Sequence, residues 1–458
     1  SRLPAIPGEL LPVSRFLAGL VFLLLGALCT AAEVFPGPGL TPVGAEQAGN
    51  AAGTIPPWTG GLTAPPDSYV AGYHETNPFP GDAPLFQINA SNAQQYAQQL
   101  SPGQLALLAR YPDTWYMNVY KTRRTASFPD FVYQAISENA ASARVFMEGS
   151  GSVEGTRVSS PFPQPSSGVE VVWNHNLRFR GLGVNRMEGS AALTRAGRYS
   201  LVVSQQNWGF PYGLPEPIPF TERYPNVLLA VKSKVLAPSL LSGDGTLIFE
   251  TINQTDDPRK VWLYPRSLRR VLRAPLFAYQ IPAGNSDGLR TVDDFGLYNG
   301  APDRYEWQLL GKRELYIPYN AYNLHGPRVG PDDIVRTGHI NPEHARYELH
   351  RVWVVEGQLK SDARHIYSRR VFFVDEDSWQ IAVADSYNMD GELWRVNEAH
   401  ALNYYTVPVL WSTLEVYHDL IAGRVLINGL DNQYRPYEFR VRSDAREFSP
   451  NALIYYLR

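Results

Sequence analysis

One cysteine, Cys29, in 458 residues leaves no disulfide framework and no thiolate metal cluster to build on. Net charge is scarce too. The 41 Lys and Arg stand against 44 Asp and Glu, so the chain lacks the positive field that counterion release from a nucleic-acid backbone needs. That argues against nucleic acid as a partner. Catalytic signatures are missing as well: the chain has no G-x-S-x-G elbow and no Walker A loop. "GLGVNR" has two of the three glycines of a dinucleotide fingerprint, and it follows a helical pattern rather than a strand.

Long apolar runs are confined to one place, Phe16 to Leu28, which falls short of the roughly 20 residues of a membrane-spanning helix. Arg15 precedes the run and small residues follow it, the pattern of a secretory signal. Residues 1–32 are therefore expected to be removed at Cys29-Thr30-Ala31 or Thr30-Ala31-Ala32. Leu28 stands where a lipoprotein peptidase takes a small residue, which argues against lipid anchoring at Cys29. A retained signal anchor is the competing reading. Cleavage would leave a mature chain without cysteine, exported and soluble, with no further stretch of membrane length.

What is present is core-building material: 44% hydrophobic and 12% aromatic residues, enough for one large or two moderate domains. Residues 33–90 are rich in Gly and Pro and read as an extended arm, with Trp58, Leu62 and Tyr69 able to dock on a folded body. Residues 91–458 read as a single α+β domain, helix-rich over 91–196 and an antiparallel sheet over 197–458. Helices are predicted at "SNAQQYAQQL", at "SPGQLALLARYP" with Ser101 as cap and Pro102 in first position, and at "DFVYQAISENAASA". A further helix is predicted at "SSGVEVVWNHNLRFRG", where Ser167 and Glu170 have capping-box spacing. "TWYMNVYKTRR" reads as a strand. From Tyr199 onward, β-branched and aromatic runs alternate with Gly, Pro and Asp turns at hairpin spacing.

The stretch "RRVFFVDEDSWQIAVADSYNMDGELWRV" concentrates the chemical question. Trp379, Ile381, Val383 and Tyr387 alternate with small and polar residues, as on a half-buried strand. Asp375, Glu376 and Asp377 then fall in a turn, as does Asp390-Gly391, and turn chemistry accounts for them better than paired catalytic carboxylates. Arg369 and Arg370 point to opposite faces, so one of them needs a buried partner, for which Glu348, Glu356 and Asp375 are candidates. His339, His344, His350 and His365 have no metal-motif spacing, so no metal site is expected. Asp293, Asp294 and Asp303 lie in the densest charged stretch, where a loop network competes with acid/base chemistry. Strands such as "HRVWVV" and "RRVFFV" are apolar on both faces, as expected where helices cover one face and the other meets packed core or a ligand cavity.

"LTPVGAEQAGNAAGTIPPWTGGL", "VVWNHNLRFRG", "DGLRTVDDFGLYNGAPDRYEWQLLGK", "RYELHRVWVVEGQLK", "RHIYSRRVFFVDEDSWQIAVADSY" and "GELWRVNEAH" together resemble the proteobacterial DUF1329 family over essentially the whole mature chain. Two elements, "VLAPSLLSGDGTLIFE" with "KVWLYPRSLRRVLRA" and the "VFFVDEDSWQI" hairpin, are similar to strand pairs of LolA- and LolB-type carriers. The resemblance implies an open half-barrel: a large curved antiparallel sheet with helices packed on one side of an apolar cavity. It also implies the periplasm of a Gram-negative bacterium, a lipid or other hydrophobic ligand, and work beside an RND-type exporter and an outer-membrane partner, with peripheral membrane contact. It brings no catalytic residues and no cofactor. On this reading Trp173, Trp262, Tyr264, Trp307, Tyr316, Trp353, Phe373 and Trp379 are the expected cavity wall, with Arg351 and Arg369 at its rim. A glycan- or lipid-acting hydrolase using the Asp carboxylates, and a structural subunit of an export complex, are the competing functions.

Overall fold

The computed structural model describes residues 35–146, 152–216, 222–274, 279–439 and 444–458. The expected signal peptide and Cys29 lie outside the described residues.

The arm, from Phe35 on, docks where the sequence has apolar residues to offer. Val43, Ala45 and Ile55 are buried. The Leu62 amide donates to Thr125 O at 2.9 Å, and the Trp58 indole donates to Ala126 O at 3.3 Å. Gly61 permits this approach: its φ is +73°, and a Cβ there would lie 2.2 Å from Ala126 O.

Strand β1 (Phe86–Ile88) follows. "SNAQQYAQQL" forms a 3-10 helix, Ala93–Gln99, in place of the expected α-helix. It buries only Ala93, so it has no apolar stripe for packing to stabilise. Helix α1 (Pro102–Arg110) starts as predicted, with Ser101 and Gln104 capping each other reciprocally. The "TWYMNVYKTRR" strand shrinks to β2 (Met117–Val119). Helix α2 (Asp130–Ser142) buries Val132, Ala135 and Ile136. A short hairpin, β3 (Arg144–Phe146) with β4 (Ser152–Glu154), leads to α3 (Gly168–Leu177), where the Ser167 hydroxyl accepts from the Glu170 amide.

The sheet is not confined to residues 197 onward: β1 and β2 join it, and its run of long strands starts at β5 (Gly183–Ala192). "GVNRMEGSAA" has weak strand propensity of its own and is held by ladders on both sides. After it come β6 (Leu201–Gly209), β7 (Val227–Ala237), β8 (Gly245–Thr251), β9 (Lys260–Tyr264) and β10 (Leu272–Ala274). A loop segment, 279–304, connects to β11 (Tyr305–Pro318). A two-stranded ribbon, β12 (Val335–Arg336) with β13 (His339–Ile340), precedes the long meander. The meander consists of β14 (Tyr347–Leu359), β15 (Arg369–Asp375), β16 (Ile381–Tyr387), β17 (Leu393–Tyr404), β18 (Val409–Asp419) and β19 (Arg424–Leu430). Strand β20 (Glu438–Phe439) and the C-terminal helix Pro450–Leu457 complete the described chain.

Sixteen of these strands form one open sheet in the order β1-β2-β14-β15-β16-β17-β18-β19-β5-β6-β7-β8-β9-β10, with β11 on β14 and β20 on β5. Among the described residues all its pairings are antiparallel except a parallel bridge, Tyr347 to Val119. The late strand β19 thus meets the early strand β5 in mid-sheet, and divides it into two halves. In the β11–β18 half the sheet curls on itself. Leu315 and Ile317 of β11 share a buried cluster with Ala401 of β17 and Leu410 of β18. The outer face of that half is covered by Val171 and Val172 of α3 with Leu297, Tyr298 and Trp379. In the β5–β10 half, the C-terminal helix covers one face through Leu453 and Leu457.

Candidate ligand cavity

The uncovered face of the β5–β10 half forms a cavity of about 420 Å³, within the range of small-molecule sites. Strand periodicity decides what lines it. On β6, Val202, Ser204, Gln206 and Trp208 face in; on β7, Leu229, Val231, Ser233 and Val235; on β8, Thr246, Ile248 and Glu250; on β9, Val261 and Leu263. The alternate residues, Ala230, Leu247, Phe249 and Trp262, face the C-terminal helix. The opposite wall is the loop segment, through Ser286, Arg290, Val292, Phe295 and Asn299.

Charge in the wall is paired or hydrogen-bonded in most places. Glu250 accepts from Arg259 at 2.6 Å and from Asn299 at 3.2 Å. Glu188 accepts from Arg186 at 3.3 Å and from Gln206 at 2.9 Å, and burial pushes its pKa up against the opposing pull of Arg186. Arg186 lies against the rings of Trp208, Trp411 and Tyr437. The Ser233 and Thr246 hydroxyls satisfy each other at 2.6 Å.

The loop wall is pinned by Arg370. Its guanidinium donates to Asp293 at 2.7 Å and to Asp294, and all three are buried. Burial pushes the Asp293 carboxyl up, but Arg370 and His365 outweigh it and hold the group far below the ordinary carboxylate range. Asp294 also accepts from the Tyr367 hydroxyl at 2.8 Å. The outward-facing Arg369 pairs with Glu356 at 3.0 Å and lies over the Tyr387 ring at 3.6 Å. Glu348, Glu356 and Asp375 were the expected partners of the inward arginine, and none of them holds Arg370. Asp293 and Asp294 were not expected, because 76 and more residues separate them from Arg370. These two carboxylates do cluster, but they are engaged by a cation and neither lines the cavity; Asp303 does not line it either.

Of the ten expected wall and rim residues, Tyr264 lines the cavity. The other nine lie elsewhere. Trp262 faces the C-terminal helix and Trp173 sits in the cluster around α2. Trp307, Trp353 and Trp379 pack under α3, and Phe373 lies in the curled interior. Tyr316 contacts Phe86 and Tyr96. Arg351 pairs with Glu46 and Glu376, both at 3.4 Å, and Arg369 with Glu356. The sequence reading chose large aromatics, but large side chains fill space. The cavity exists where the inward positions carry Ser190, Ser204, Ser233 and Thr246, and the recurrence of small residues at one parity was the available signal.

Trp379 is not on the strand that its alternation suggested. It ends the β15–β16 turn at φ +60°, and its indole donates to Val43 O at 3.1 Å, tying the arm down. The turn's acids are buried, not solvated. Asp377 accepts from Arg124 at 2.6 and 2.8 Å, and Glu376 from Lys312 at 2.9 Å. His350, Asp375 and Asp377 place one ligand atom each within 4.8 Å of one another, the one grouping of metal-ligand geometry among the described residues. Arg124 occupies both Asp377 oxygens and His350 bonds Glu348 at 3.1 Å, which is the pattern of an ion-pair network.

A second hollow lies between the arm and the 322–329 loop, lined by Tyr73, His74, Glu75, Tyr322, His325 and Arg328 among others. At its base His325 bridges Asp431 and Glu75 at 2.5 and 3.2 Å. Burial opposes its charge, but the two carboxylates outweigh it and raise its pKa to about 10.

The family model described as "Protein of unknown function (DUF1329)" matches residues 87–454. The chain belongs to the DUF1329 family. It is 46% identical over 418 residues to the Pseudomonas aeruginosa protein "Uncharacterized protein PA3922", covering 91% of each chain. Among solved structures, it is similar to a Vibrio parahaemolyticus domain named for outer membrane lipoprotein sorting (14% identity, TM-score 0.43, 63% of this chain and 98% of that one). It is also similar to a DUF1329 protein of Desulfovibrio piger (14%, 0.39, 60% and 92%) and to a LolA-superfamily protein of Nitrosomonas europaea (14%, 0.37, 63% and 100%). No helix among the described residues is long and apolar enough to cross a membrane.

Proposed function

We propose that this DUF1329 protein is an exported, non-catalytic binding protein that takes a lipid or other hydrophobic ligand into the sheet cavity and passes it to an envelope partner. The observation that carries the reading is the half-open sheet. Its β5–β10 half presents a row of aliphatic positions to a hollow of about 420 Å³, beside a buried cluster that takes in Leu229, Val231 and Trp208. Each buried methylene of a ligand there contributes about 0.8 kcal/mol, so a chain of about ten carbons binds without any polar contact. The signal-like N-terminus supports a periplasmic site of action, and the family resemblance supports an RND-type exporter and outer-membrane component as delivery partners. The hydrolase reading has less support, since Asp293 and Asp294 are neutralised by Arg370 away from the cavity.

Protein recovered from a periplasmic fraction, examined by native mass spectrometry and lipid extraction, is expected to carry or accept an apolar ligand. Protein that is empty and also fails to bind any fluorescent fatty-acid probe would sink the proposal. Ser204→Phe, which adds bulk inside the cavity, is expected to weaken probe binding at least about tenfold.

A further inference from the structure

One group in the cavity wall is left over. Arg290 lies on the loop side, with its Nε and Nη1 atoms buried and without a hydrogen-bond partner. Its guanidinium is held between two rings, Phe295 at 5.5 Å and Tyr417 at 5.6 Å. The backbone beside it is fixed, since its carbonyl accepts from the Ala283 amide at 2.9 Å and from the Ser286 hydroxyl at 3.3 Å.

The surrounding acids are already engaged. Glu250 is taken by Arg259 and Asn299, and Glu188 by Arg186 and Gln206. Glu415 accepts from Ser412 at 3.0 Å and from Tyr417 at 2.5 Å. Asp294 belongs to Arg370 and Tyr367, and Asp287 to Arg424. Arg290 as a whole is half-buried, but its Nε and Nη1 groups are withdrawn from water without an acceptor, and guanidinium N–H groups in a weakly polar wall are pre-set for a carboxylate or phosphate.

Building on the apolar-ligand reading above, we propose that Arg290 receives the anionic head of an amphipathic ligand, so that the cargo is an acidic lipid whose chain lies along β6 to β9. The head is a carboxylate or a phosphate monoester, two sources that share the geometry of paired oxygens on a guanidinium. The aliphatic positions Val202, Leu229, Val231 and Leu263 receive the chain.

Isothermal titration of the full mature chain with dodecanoic acid, dodecyl phosphate, dodecanol and dodecyltrimethylammonium tests this. One or both anions are expected to bind at least about tenfold more tightly than the alcohol, the scale of one charge-assisted contact, and the ammonium more weakly than the alcohol. Whichever anion wins names the head. Arg290→Met is expected to erase the preference and Arg290→Lys to restore part of it, with the urea-unfolding midpoint of each variant matching that of the natural chain as the sign of a folded protein. Equal binding of acid, phosphate and alcohol by the natural chain overturns the inference and leaves the apolar-ligand reading standing. An anion preference that survives in Arg290→Met overturns it as well. Binding of none of the four overturns the ligand reading and this inference together.

Discussion

Strands β14 to β16 are apolar on two faces and closed, whereas strands β6 to β9 carry Ser204, Gln206, Ser233 and Thr246 among the aliphatic residues of one face and are hollow there. In the first, Phe372 and Val374 meet α3 while Val371 and Phe373 meet the sheet's own far strands across the curl. In the second, Leu247 and Phe249 meet the C-terminal helix while Val202, Ser204, Ser233 and Thr246 line the hollow. The difference lies in what covers the second face. The closed half has bulky residues facing one another across a curl, with the arm clamped at its end; the hollow half has small inward residues and a loop held at a distance by Arg370. In the closed half two-sided apolarity marks two covered faces, and the hollow lies where small polar residues interrupt the aliphatic ones.

The contrast can be broken most severely at Arg370. Arg370→Met leaves Asp293 and Asp294 buried without their cation and is expected to cost about 4 kcal/mol, read in urea unfolding, with loss of probe binding as the loop wall loosens. The arm's clamp comes next. His325 has a pKa of about 10 when folded and about 6.5 when unfolded. The stability it brings is therefore full below pH 6.5 and is lost as pH rises toward 10. His325→Gln is expected to be less stable than the natural chain by about 3 kcal/mol at pH 7 and by much less at pH 10, with ligand affinity changed less than about twofold.

Equal bulk added to each half should separate them directly. Ala384→Phe, in the closed half, is expected to destabilise by about 2 kcal/mol. Ser204→Phe, in the hollow one, should shift the melting temperature little and act on ligand affinity instead. The smallest effect is expected at Trp353→Phe, which leaves probe affinity within about twofold because the ring packs beside Trp379 under α3. A large loss of affinity there would restore the aromatic-wall picture.

Much of the fold could be read from local chemistry. Ser101 and Ser167 fixed helix starts because a hydroxyl can satisfy the amide three residues on. Asp390-Gly391 fixed a turn because Gly391 takes a φ of +80°. That one of Arg369 and Arg370 is buried was legible from strand alternation, while its partners were not. The site was less legible. Tyr264 was found, while Arg290, Ser204 and Ser233 were passed over because a cavity is defined by atoms that are missing, and a sequence prints only those that are present.

By itself, then, the sequence determined the helix starts at Ser101 and Ser167, the extended character of most of the later strands and the family, since each rests on interactions within a few residues or on long matching motifs. Tertiary structure alone decided which face is hollow, which carboxylates hold Arg370 and why Asp375, Glu376 and Asp377 are buried. Those outcomes depend on β19 meeting β5 and on the arm crossing the β15–β16 turn, contacts between residues a hundred or more positions apart, whose geometry no local pattern encodes.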